Sequence, residues 1–156
     1  DGFALLDLAE AITLRESGWQ GPILLLEGFF KSQDLALIDH YRLTTSVHSD
    51  WQLSAIAEAK LSAPLDVYLK VNSGMNRLGF VPERLHSVWL KAREISNIAN
   101  MTVFSHFATS ALPQGVVVHL ATVQDPVSLL PFPPCLAISA STLLPPYTPL
   151  TWIRPG

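Results

Sequence analysis

"LDVYLKVNSGMNRLGF", residues 65–80, starts as a strand and ends in a polar, glycine-containing turn that carries two cations, Lys70 and Arg77. The strand does not need either charge in order to fold. The segments on both sides set the context. "GFALL" (2–6), "PILLLEG" (22–28), "LTTSVH" (43–48), "LDVYLKV" (65–71) and "MTVFSHF" (101–107) read as strands. Between them lie helical patterns. Residues 7–18 have Leu8, Ala11, Ile12 and Leu14 at helical spacing and Gly18 as a stop. Residues 32–41 open on Ser32 as N-cap and bury Leu35 and Ile38. Residues 49–61 bury Leu53, Ile56 and Ala57, and residues 82–96 start at Pro82 and bury Leu85, Val88 and Ile95. "CLAIS" (135–139) and "TWIR" (151–154) are weaker strand candidates.

This is the βα rhythm of a parallel sheet. Apolar runs such as "PILLLEG" suit strands covered on both faces. No reversal of direction is evident, which favours an α/β fold of the (β/α)₈ TIM-barrel type over a doubly wound sheet. Bulk composition agrees. The chain is 49% hydrophobic and 15% charged, with mean hydropathy +0.30, and no apolar run has the ~18 residues of a membrane span. A net charge of −3 leaves no electrostatic footprint for nucleic acid. The single cysteine, Cys135, excludes an internal disulfide and fits a reducing, cytoplasmic setting. The absence of a leader and the closing "WIRPG" point to a piece of a longer protein. Residues 111–156 hold only two charges, Asp125 and Arg154, and nine of the twelve prolines. A poorly ordered or heavily covered segment is expected there, and "GVVVHLATVQDPVSLL" (115–130) is at best an interrupted helix.

In a parallel barrel, functional groups gather where strands end. Lys70 and Arg77 follow one strand, Ser105 and His106 another, and Ser139, Ser141 and Thr142 a third; Arg154 and Gly156 close the last. Each has a structural alternative. Lys70 could snorkel, Arg77 could pair with Glu83, His106 could be a packing residue, Ser139 and Ser141 could cap a helix, and Arg154 could be a surface charge. His40, His48, His86 and His119 read as structural or solvated, and Cys135 as a small buried hydrophobe. No zinc-ligand spacing, P-loop, G-x-S-x-G or dinucleotide fingerprint is present. Cations, a histidine and hydroxyls on one rim suit an anionic ligand, such as a phosphate plus a carboxylate. The residues alone lead to an anion-binding rim.

"DVYLKVNSGMNRLGF", "FSHFAT", "LAISAST" and "WIRPG", in this order and spacing, resemble the bacterial alanine racemases. "GFALLDLAEAITLRESG" and "GPILLLEGFF" resemble that family's second and third barrel strands with their helices. The resemblance spans nearly the whole chain. It implies an incomplete (β/α)₈ barrel, with the first strand and a C-terminal β domain lying outside residues 1–156. It also implies pyridoxal 5′-phosphate, interconversion of L-alanine and D-alanine for cell-wall precursors, a cytoplasmic homodimer, and no nucleic-acid or membrane partner. By the same resemblance, Arg77 orients the cofactor and the substrate carboxylate, and Lys70 is the candidate for a carbamate that holds Arg77. His106 lies by the cofactor ring, Ser139 and the Gly156 amide reach the phosphate, and Arg154 faces the pyridine nitrogen. An arginine does not give up its proton to that nitrogen. The ring beside it is a weaker electron sink than beside an aspartate, which favours racemisation over transamination.

The resemblance assigns the Schiff-base lysine and the second base, a tyrosine, to segments outside this chain. Residues 1–156 therefore hold no catalytic base and no metal ligand, and alone should not racemise alanine. Three positions depart from the family pattern: Ile138 stands where Asn is usual, Ala111 where an acidic residue is usual, and Pro126 interrupts a helix. Two alternatives keep the fold: a serine or broad-specificity racemase, and a non-catalytic pyridoxal-phosphate-binding barrel.

Overall fold

The computed structural model describes residues 2–106, together with the short strands Ala137–Ile138 and Ile153–Arg154. Ten elements lie within 2–106. They are β1 (Phe3–Leu5), α1 (Leu8–Glu16), β2 (Ile23–Leu25), α2 (Asp34–His40), β3 (Thr44–Val47), α3 (Asp50–Glu58), β4 (Leu65–Lys70), a 3₁₀ turn (Pro82–Arg84), α4 (Leu85–Arg93) and β5 (Ile98–Phe104). The later strands are β6 (Ala137–Ile138) and β7 (Ile153–Arg154). Two compact units emerge, 1–68 with 91–101, and 69–90 with 102–156.

The first unit carries β1 to β3 and the leading residues of β4 and β5. Strand order is β1-β2-β3-β4-β5, and β1–β2 and β2–β3 are parallel. Each strand lies beside its predecessor in sequence, with a helix spanning each gap. A doubly wound sheet would reverse that order, so the fold is the TIM-barrel type expected from the rhythm. β2 shows the logic most clearly: Ile23, Leu24 and Leu25 are all buried, as a strand covered on both faces must be.

Local chemistry places the helix ends. Asp7 Oδ1 accepts from the Ala9 amide at 2.6 Å and caps α1. At the other end Gly18, at φ +104°, lets the chain turn away. Arg15 then donates to the carbonyls of Trp19 (2.7 Å), Gly21 (2.8 Å), Tyr41 (2.9 Å) and Arg42 (3.1 Å), gathering the loops that follow α1 and α2. Gln52 does comparable work at the far ends of β2 and β3. It is fully buried; its Oε1 accepts from the His48 amide at 2.8 Å and its Nε2 donates to the Phe29 carbonyl at 2.9 Å.

Several expectations shift. Ser32 does not cap α2; Gln33 holds the cap position, without a side-chain bond. Ala57 is exposed and Gln52 takes its place in the core, because the α3 face turned inward meets backbone groups as well as apolar side chains. Pro82 starts a 3₁₀ turn, and α4 proper begins at Leu85. Ile95 is half-buried beyond the end of α4, and Ala92 completes the stripe with Leu85 and Val88. β5 starts at Ile98, earlier than expected. Among 111–156 only β6 and β7 are described; they pair in parallel, Ile138 opposite Arg154. The interrupted helix at 115–130, His119 and Cys135 lie outside the described residues, as does the order expected of that segment.

Gln52→Leu keeps volume but strands the Phe29 carbonyl and the His48 amide. A loss of about 1–3 kcal/mol per stranded group is expected, read as a lower urea midpoint at constant slope; an unmoved midpoint would contradict this role. A second prediction concerns acid. Asp39 accepts from the Ser62 amide (2.7 Å) and hydroxyl (2.8 Å), and the amide bond foremost holds its carboxyl below the ordinary value. A lowered folded-state value means the contribution is present above the unfolded value, about 4, and is lost as pH falls through the folded one. Asp39→Ala should therefore destabilise the protein at neutral pH and show a shallower acid-side loss; parallel pH profiles for the two proteins would refute it.

Candidate functional site

The second unit holds the end of β4, the loop after it and the end of β5. Lys70 is the last residue of β4 and is only 5% exposed. Its Nζ lies over the Phe104 ring, 5.4 Å from the centroid, in cation–π geometry. Beyond it the Val71 amide donates to the Phe104 carbonyl at 2.9 Å, so β4 and β5 are still tied where the loop leaves.

The loop then closes on itself. The Phe80 amide donates to the Lys70 carbonyl (2.8 Å) and the Phe80 carbonyl accepts from the Asn72 amide (2.9 Å), giving a parallel bridge between Val71 and Phe80. Gly79 makes this approach possible. It sits at φ +123°, and a Cβ there would lie 2.7 Å from the Asn72 nitrogen and 3.0 Å from the Lys70 oxygen. Inside the loop, Asn72 Oδ1 accepts from the amides of Gly74 (3.1 Å) and Asn76 (3.0 Å), and Asn72 Nδ2 donates to Asn76 Oδ1 (3.0 Å). Asn76 takes a left-handed conformation at φ +55°, which asparagine tolerates better than most residues. Asn72 thus shapes the turn from which Arg77 extends.

The expected residues separate as follows. Lys70, Arg77 and His106 line one small, shallow depression, together with Ser73 and Met75. Arg77 is exposed, and among the described residues it makes no hydrogen bond and no ion pair, Glu83 included. Its planar guanidinium carries five donors in a fork that fits a carboxylate or a similar anionic oxygen. His106 follows β5 and is half-buried. Arg154 lies in β7 opposite Ile138. Ser139 and Gly156 lie outside the described residues, with Ser141, Thr142 and Ala111.

Two hydroxyls meet here: Ser105, which the sequence places on the rim, and Ser73, to which it gives no role. Ser73 and Ser105 are 2% and 0% exposed, and their oxygens lie 2.7 Å apart. Ser105 also donates to the Val71 carbonyl at 2.7 Å. A small hydroxyl residue directly before Gly74 was the available signal. Among the described residues no cluster of His, Cys, Asp and Glu could hold a metal, and no helix is long and apolar enough to cross a membrane.

Residues 1–156 match the alanine racemase N-terminal domain. The chain is 59% identical to the catabolic alanine racemase of Klebsiella aerogenes and 56% identical to the alanine racemase of Erwinia tasmaniensis, in each case over all 156 residues and 44% of the relative. It superposes on the crystal structure of the biosynthetic alanine racemase of Pseudomonas aeruginosa with a TM-score of 0.91, at 34% identity over 100% of this chain and 44% of that one. The chain spans less than half the length of the relatives it matches.

Asn72→Ala removes the acceptor of two backbone amides, whereas Asn72→Asp keeps it. Amide exchange at Gly74 and Asn76 should quicken about five- to tenfold in the alanine variant and change much less in the aspartate variant. Equal exchange in the two would show that the loop does not depend on this side chain.

Proposed function

Because the chain belongs to the alanine racemase family through its N-terminal domain, we propose that it is the barrel part of a pyridoxal-phosphate-dependent racemase of L- and D-alanine. The observation that carries the proposal is the meeting of Lys70, Arg77 and His106 around one depression where β4 and β5 end. The donor set fits the cofactor's ring end and the substrate carboxylate: an exposed, uncommitted guanidinium and a half-buried imidazole that can pack against a ring. When bound, pyridoxal 5′-phosphate would supply the electron sink that makes the substrate Cα proton labile.

The chain's own residues bind and orient. Arg77 presents paired N–H donors, which fix a carboxylate in plane and in register. Lys70, carried as a carbamate, would become an anion able to hold Arg77 by a charge-assisted hydrogen bond. His106 would limit ring movement, and Ser139 with the Gly156 amide would hold the phosphate. Arg154 would face the pyridine nitrogen without donating a proton to it. The resemblance assigns the family's Schiff-base lysine and tyrosine base to segments outside these 156 residues. Proton removal and return are therefore assigned to groups elsewhere in the full-length protein, which we take to be a cytoplasmic homodimer.

D-alanine for cell-wall precursors is the first reading of the physiological role. A catabolic role is the second, favoured by the name of the Klebsiella relative at 59% identity.

In the full-length enzyme, Arg77→Lys should lower kcat/KM for L-alanine about ten- to a hundredfold, chiefly through KM. A point charge cannot reproduce the bidentate fork. Unchanged kinetics would remove Arg77 from the binding site.

A further inference from the structure

The loop bearing Arg77 and the strand end bearing His106 are joined by more than backbone. Ser105 has one hydroxyl proton, and at 2.7 Å the Val71 carbonyl takes it. The 2.7 Å contact between Ser73 and Ser105 must then be filled by the Ser73 proton. The contact from Ser73 to the His106 carbonyl is longer, 3.5 Å, at the limit of a hydrogen bond. The result is a directed relay: Ser73 hydroxyl to Ser105 oxygen, Ser105 hydroxyl to Val71 carbonyl. It starts inside the turn that Arg77 ends, passes the residue before His106, and returns to the residue after Lys70. Both hydroxyls are buried, so water does not compete for these bonds.

We infer that Ser73 and Ser105 form a hydroxyl relay that holds Arg77 and His106 in mutual register, which makes Ser73 a positioning residue for the ligand site. The inference rests on the proposed racemase reading for its kinetic consequence but not for its structural one. Arg77 makes no bond to the described residues, so the turn that carries it sets the point from which its side chain extends. That turn is pinned at its base by Phe80 and at its start by Asn72. The Ser73 side chain ties the interior of the turn to the end of β5.

The test compares Ser73→Thr with Ser73→Val in the full-length enzyme. The two side chains have nearly equal volume and differ in the hydroxyl. The Thr variant should keep kcat/KM for L-alanine within about twofold of wild type, and the Val variant should lose about five- to tenfold, mostly in KM, at matching thermal midpoints. Amide exchange across residues 71–80 should quicken by a similar factor in Val over Thr. Should Ser73→Val not fold, Ser73→Ala is read against Ser73→Thr on the same two scales. Equal behaviour of the paired variants in both kinetics and exchange overturns the relay, as does a kinetic loss that only follows a lowered thermal midpoint. A wild-type enzyme that does not racemise alanine while the exchange difference persists overturns the proposed function and leaves the relay standing.

Discussion

Phe80 makes two backbone hydrogen bonds that close the loop after β4, and the candidate site depends on them. Its amide reaches the Lys70 carbonyl and its carbonyl receives the Asn72 amide. Without this closure the segment from Asn72 to Gly79 would be an open surface excursion, and Arg77 would have no defined direction. The closure in turn requires a residue without a Cβ at Gly79, because backbone atoms already occupy that space. A cation on a flexible turn would give electrostatic attraction. The same cation on a closed turn gives geometry, which recognition of a planar carboxylate needs.

The fold was legible because its determinants are local and periodic. Three-residue β2 is buried throughout, and its apolar run said as much. The helical stripes of α2 and of Leu85 and Val88 in α4 were equally plain. Errors fell where tertiary partners outvote propensity. Gln52 is polar, yet it enters the core because two backbone groups at the ends of β2 and β3 need partners there. Ser32 has the chemistry of a cap, but the chain begins to coil before α2 and leaves that chemistry unused. Neither outcome can be seen in a helical wheel.

For the site, residue types at strand ends pointed to the rim, and Lys70, Arg77 and His106 do share a depression. What spacing could not convey is how they are held. Ser73 and Ser105 are 32 positions apart, and nothing in a linear pattern says that their oxygens touch. Lys70 illustrates the other difficulty. A lysine at a strand end normally snorkels, and this one is buried against Phe104. Burial of an amine is a property of the assembled sheet, so it does not show in the residue itself.

The double clasp at Phe80 also governs how the gene can vary. With Lys70 and Asn72 on one side and Phe80 on the other, the number of residues between the clasps is set by geometry, not by choice of side chain. An exposed position such as Met75 can change chemistry while the span keeps its length. A codon gained or lost between Asn72 and Gly79 would move Gly79 off the only spot where it fits and rotate Arg77 away from the depression. Substitution is thus the open route for altering the chemistry of this loop, and insertion or deletion is the closed one.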